Sequence, residues 1–147
     1  MYLLCEPNVV QKCPPSVIQQ KYESKFIKTL RADGGDSAYV ETTTVYSATD
    51  EIVQPQSGGP LASAFLKDER GVGVTNTKVQ QACPLQPAGG VFTHEGVLYN
   101  ALAYALAVDA LTNPGPGSLD RIDVEQACSE IVAPGITLPG YLETESE

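Results

Sequence analysis

Between Ser16 and Gly35, apolar residues recur at every fourth position: Ile18, Tyr22, Phe26 and Leu30. This spacing places all four on one face of a helix and predicts an amphipathic helix over Val17–Leu30, capped by Ser16 and ended by Arg31–Gly35. The pattern then changes. Tyr39–Tyr46 is rich in β-branched and aromatic residues and predicts a strand, followed at once by the small polar turn Ser47-Ala-Thr-Asp50. A strand ending this way delivers its last residues to the carboxyl edge of a sheet, where open α/β sheets hold ligands and catalytic groups. Val74–Gln81 alternates loosely and predicts a second strand, lying between a loop at 54–60 and another at Cys83–Gly90. Glu95–Leu111, with Val97, Leu98, Ala101, Leu102, Ala105, Leu106 and Val108 forming a broad apolar face, predicts a second long helix, which Asn113-Pro-Gly-Pro-Gly117 stops. Asp123–Cys128 adds one or two helical turns. The order helix, strand, strand, helix predicts an α/β layer architecture, in which so few strands leave sheet edges unpaired.

Composition narrows the class. The 147 residues suit one domain, and 42% hydrophobic against 18% charged residues favours a globular chain. Eighteen acidic residues against nine basic ones give a net charge of −9, which argues against nucleic acid as a partner and against tight binding to anionic membranes. No apolar run is long enough for a transmembrane segment. The opening Met1-Tyr-Leu-Leu-Cys5 lacks the basic and apolar regions of a signal peptide, so an exported protein would carry its leader ahead of Met1. The four cysteines, Cys5, Cys13, Cys83 and Cys128, allow two disulfides in any of three connectivities and imply an oxidising compartment. With one histidine and no Cys-x-x-Cys pair, no structural zinc site is expected.

Candidate chemistry centres on that histidine. His94 sits where a loop meets the N-terminus of a predicted helix, a position from which an imidazole can turn between an acid and a nucleophile. By itself a lone histidine is more often an ordinary structural or surface residue, and Asp50 alone matches a common turn or helix-capping aspartate. Asp50 precedes His94 by 44 residues, in the acid-then-base chain order of α/β-hydrolases. The surrounding stretch is more specific. Tyr46-Ser-Ala-Thr-Asp-Glu-Ile-Val-Gln-Pro-Gln56 resembles the acid-loop motif of the Candida antarctica lipase B-like secreted fungal lipases, members of the α/β-hydrolase superfamily. Pro15-Ser-Val-Ile-Gln-Gln20, Val79-Gln-Gln-Ala-Cys83-Pro-Leu and Phe92-Thr-His94-Glu-Gly resemble further blocks of that family, in the same order, across roughly residues 3 to 128.

The resemblance implies a partial α/β-hydrolase fold, its C-terminal portion with few strands and flanking helices, over residues 1–133; the stretch 134–147, Pro/Gly-punctuated and then acidic, reads as a flexible tail. It implies Asp50 and His94 as catalytic acid and base, Ile52 and Val53 as substrate-pocket lining, and a Cys83–Cys128 disulfide, with Cys5 and Cys13 left to pair with each other. It further implies an ester or lipid substrate, a secreted protein, no metal and no organic cofactor. The family's nucleophile elbow, Thr-x-Ser-x-Gly, has no counterpart ahead of Asp50; Ser57, in Gln56-Ser-Gly-Gly59, reads as a turn residue. The expectation is therefore a fragment of a serine ester hydrolase that is inactive alone and has the missing N-terminal half as its partner. A non-catalytic lipid-binding relative and one chain of a two-chain enzyme are the alternatives.

Overall fold

The structure, a computed structural model, describes residues 14–145. Its centre is a two-stranded parallel sheet of β1 (Thr42–Tyr46) and β2 (Val74–Lys78), in register from Thr42 opposite Val74 to Tyr46 opposite Lys78. Parallel neighbours need a long crossover, here supplied by residues 47–73 with one 3-10 turn at Gly59–Leu61. Both strands are shorter than their sequence pattern. Tyr39 and Val40 lie outside β1 and are exposed, and the predicted end of β2 is instead a helical turn, α3 (Val79–Ala82).

The predicted helix over Val17–Leu30 is two helices, α1 (Pro15–Gln19) and α2 (Lys25–Ala32). Ser24 makes the break. Its hydroxyl donates to the Gln19 carbonyl at 2.6 Å, closing α1, and accepts from the Ile27 amide at 3.1 Å, capping α2. Ile18, Tyr22, Phe26 and Leu30 remain exposed, at 49, 62, 60 and 43%. The predicted helix over Glu95–Leu111 is also divided, into a 3-10 turn at Glu95–Leu98 and α4 (Ala101–Thr112). Asn100, almost wholly buried, caps α4 through the Ala103 amide and donates to the Ala88 carbonyl. Asp123 caps α5 (Val124–Ser129), and α6 (Leu138–Glu145) occupies the stretch read from sequence as a tail; its Tyr141 ring meets Tyr99 edge-on at 4.9 Å.

The core is built from residues that follow β2 in the chain. Val79, Cys83, Ala88, Phe92, Tyr99, Leu102, Leu106, Ala127 and Cys128 form one cluster, with Leu102 and Leu106 on the buried face of α4. Cys83 and Cys128 are joined, Cα to Cα 5.3 Å, tying α3 to α5. Cys5 and Cys13 lie outside the described residues. The connection after α4 runs so close to that helix that a Cβ on Gly117 would sit 2.4 Å from the Leu106 carbonyl oxygen, and Gly117 bonds Thr43 of β1 and Thr75 of β2. Together these contacts hold the sheet against the disulfide core and fix where the carboxyl end of β1 points.

Candidate active site

Asp50 closes the turn that follows β1. Its side chain is buried, and a buried carboxylate is costly unless donors surround it. Three do. The amides of Ile52 and Val53 both bond Oδ1, at 2.8 and 2.7 Å, and His94 Nδ1 bonds Oδ2 at 2.9 Å. Gln54 Nε2 donates to the Asp50 carbonyl, tightening the same turn. The carboxyl group is thus held in one orientation with one oxygen left for the imidazole.

The His94 side chain is 43% exposed, against 8% for that of Asp50. An ionised carboxylate only accepts hydrogen bonds, so against it a neutral imidazole carries its proton on Nδ1 and leaves a lone pair on Nε2. That is the arrangement a general base requires: a ring fixed at one nitrogen and open at the other. The His94 backbone is held as well, its amide donating to Glu51 Oε2 at 3.1 Å. Two sequence-distant segments, 47–54 and 92–94, therefore meet at the carboxyl edge of the sheet.

Ile52 and Val53 are half-buried beside Asp50. Their backbone amides, rather than their side chains, make the contacts with the carboxylate, a contribution invisible in residue type. Ser57 is exposed ahead of the 3-10 turn at Gly59–Leu61, where Gly58 and Gly59 adopt positive φ, and it makes no hydrogen bond with His94. A cleft of about 380 Å³ between α4 and α5, lined by Tyr104, Val108, Arg121 and Ile122 among others, shares no residue with the Asp50–His94 pair. Its polar end is the buried Asp109 carboxylate, which receives Arg121 at 2.7 Å and the Ser118 amide at 2.8 Å. Among the described residues no group of three or more His, Cys, Asp or Glu side chains is placed to hold a metal, and no helix is long and apolar enough to cross a membrane.

No protein-family model matches the chain. Lipase B of Pseudozyma antarctica is 41% identical over 99 residues, which is 66% of this chain and 26% of that protein. The crystal structure of Aspergillus fumigatus lipase B matches with a TM-score of 0.88 at 56% identity, over 91% of this chain and 32% of that one. The chain thus spans about a quarter to a third of the length of these relatives.

Proposed function

We propose that this chain, a homologue of lipase B over most of its length, supplies the acid and the base of a serine ester hydrolase, with the nucleophilic serine carried by polypeptide outside these 147 residues. The observation that supports this reading most strongly is the 2.9 Å contact between His94 Nδ1 and Asp50 Oδ2. In the assembled site, His94 Nε2 takes the serine proton as the hydroxyl oxygen attacks the ester carbonyl. The resulting imidazolium, stabilised by Asp50, returns that proton to the departing alcohol and leaves an acyl-enzyme. Water then attacks the acyl carbonyl and gives its proton to Nε2; the imidazolium passes that proton to the serine oxygen as the acyl–oxygen bond breaks, which releases the acid and restores the hydroxyl. Ile52 and Val53 line the substrate pocket beside this pair. The substrate class is a carboxylic ester of the triacylglycerol type. The Cys83–Cys128 disulfide supports a secreted setting.

Two features support a partial α/β-hydrolase fold that needs further polypeptide against it. Parallel sheets are stable when both faces and most edges are covered, and this one has two strands among the described residues. The exposed side chains of Ile18, Tyr22, Phe26 and Leu30 offer apolar surface for the same purpose.

The test is a segment exchange. The matched region of Aspergillus fumigatus lipase B is replaced by this chain, and the product is assayed on a short-chain p-nitrophenyl ester. The exchanged protein turns over, Asp50→Asn and His94→Gln each lower kcat by roughly 10³- to 10⁴-fold, and this chain alone stays at background. A well-folded exchanged protein whose rate is indifferent to both substitutions contradicts the proposal.

A further inference from the structure

The turn carrying Asp50 and the loop carrying His94 are joined by more than the acid–base contact. Thr49 precedes Asp50, and its hydroxyl both donates to the Phe92 carbonyl, at 2.9 Å, and accepts from the Phe92 amide, at 3.0 Å. Its third neighbour is the Ser47 hydroxyl, at 2.8 Å. A threonine hydroxyl has one proton and two lone pairs. The proton is committed to the Phe92 carbonyl, so Ser47 must be the donor in the Ser47–Thr49 contact. The fully buried Ser47 then accepts from the Thr49 amide at 3.2 Å and from Gln80 Nε2 at 2.9 Å. Gln80 is oriented without ambiguity. Its Oε1 accepts from the Ala48 amide at 2.9 Å, and its other amide proton goes to the Gly90 carbonyl at 2.9 Å. Every donor and acceptor of the Thr49 hydroxyl is therefore used, and two of its three bonds grip the main chain two residues before His94.

We propose that Thr49 is a positioning residue that locks the Asp50 turn to the His94 loop and so fixes the acid–base distance. This rests on reading Asp50 and His94 as the working pair. Phe92 is a firm anchor for the lock, because its ring is buried in the core and packs on Tyr99 at 5.8 Å. Glu51 provides a second tie to the His94 amide, but as a single bond from an exposed side chain. Thr49 itself lies at the surface, so water can satisfy Phe92 when the hydroxyl is removed. The fold then survives while the geometry loosens, and misplacement by about 1 Å can cost on the order of a hundredfold in rate.

His94 is the sole histidine, so one imidazole signal reports the pair without assignment ambiguity. The experiment follows its downfield Nδ1–H proton resonance in the intact chain. The wild type shows this resonance and Asp50→Asn lacks it. Thr49→Val loses about tenfold of its intensity to solvent exchange with an unchanged amide spectrum for the disulfide core, and Thr49→Ser restores it. Thr49→Ala behaves as the valine variant and serves in its place if valine disturbs folding. In the exchanged lipase, Thr49→Val lowers kcat by about tenfold to a hundredfold with KM little changed, and serine rescues it. A full-intensity resonance in both the valine and alanine variants overturns the role of Thr49 while leaving the pair intact. Absence of any Asp50-dependent resonance in the wild type overturns the pair, and the role of Thr49 with it.

Discussion

The two ends of the described chain treat their apolar residues in opposite ways. From β2 to α5, Val79, Leu102 and Leu106 are fully buried around Cys83–Cys128, and the segment closes a core from its own side chains. From α1 to α2, Ile18, Tyr22, Phe26 and Leu30 stand 43 to 62% exposed, with the Arg31 guanidinium stacked on Tyr22 at 3.3 Å. The first region is a finished piece of structure. The second leaves those four side chains largely open among the described residues. The acid–base pair belongs with the finished region, because Thr49, Gln80 and Phe92 connect it to the core. The Asp50–His94 contact is therefore anchored to a core closed by the chain's own side chains.

Breaking the closed region produces the largest effect. Replacing both Cys83 and Cys128 by serine releases a cross-link spanning 45 residues, and loses roughly 3 to 4 kcal/mol of unfolding free energy in the chain-entropy picture. Urea unfolding followed by tyrosine fluorescence measures it, and a loss below about 1 kcal/mol would mean that the core holds without its staple.

A smaller effect comes from the pair at the end of α4. The Arg121 guanidinium, and after it the Ser118 amide, hold the Asp109 carboxyl below its usual range. A depressed folded-state pKa stabilises above the ordinary carboxylate value and is lost as pH falls through the lower, folded-state value. The urea midpoint should accordingly drop on the acid side, and Asp109→Asn should flatten that limb while lowering the plateau near neutrality. An acid limb identical in the variant assigns the loss to other carboxylates.

The smallest effect on stability lies in the open region. Phe26→Ala changes the unfolding free energy of this chain by no more than about 0.5 kcal/mol, as exposed positions generally do. Light scattering should show weaker self-association in Phe26→Lys, since a charge replaces an exposed apolar ring. A loss of several kcal/mol on Phe26→Ala would instead place that ring in a core.

Much of this was legible in the residue order, and the rest failed for identifiable reasons. β1, the start of β2 and the body of α4 follow from β-branched content and from the Leu102, Leu106 spacing. The helix over Val17–Leu30 is cut because Ser24 bonds both neighbouring helices, a local competition that a four-residue apolar period conceals. Asn100 divides the later helix by the same capping chemistry. Asp50 and His94 stand out through their motifs, but the carboxylate's other donors are backbone amides of Ile52 and Val53, which carry no side-chain signature. Thr49 and Gln80 read as unremarkable polar residues until the fold brings Phe92 and Gly90 to them from more than forty and from ten residues away.

The whole reading turns on which nitrogen of one imidazole carries the proton. Two-bond ¹⁵N–¹H correlation on the uniformly labelled chain, with the ring neutral, resolves that directly. A proton on Nδ1 and a bare Nε2, reversed or averaged in Asp50→Asn, is the outcome required of a base oriented by Asp50. A proton resident on Nε2 in the wild type means that the ring is turned away from this chemistry, and the hydrolase role assigned to the pair falls.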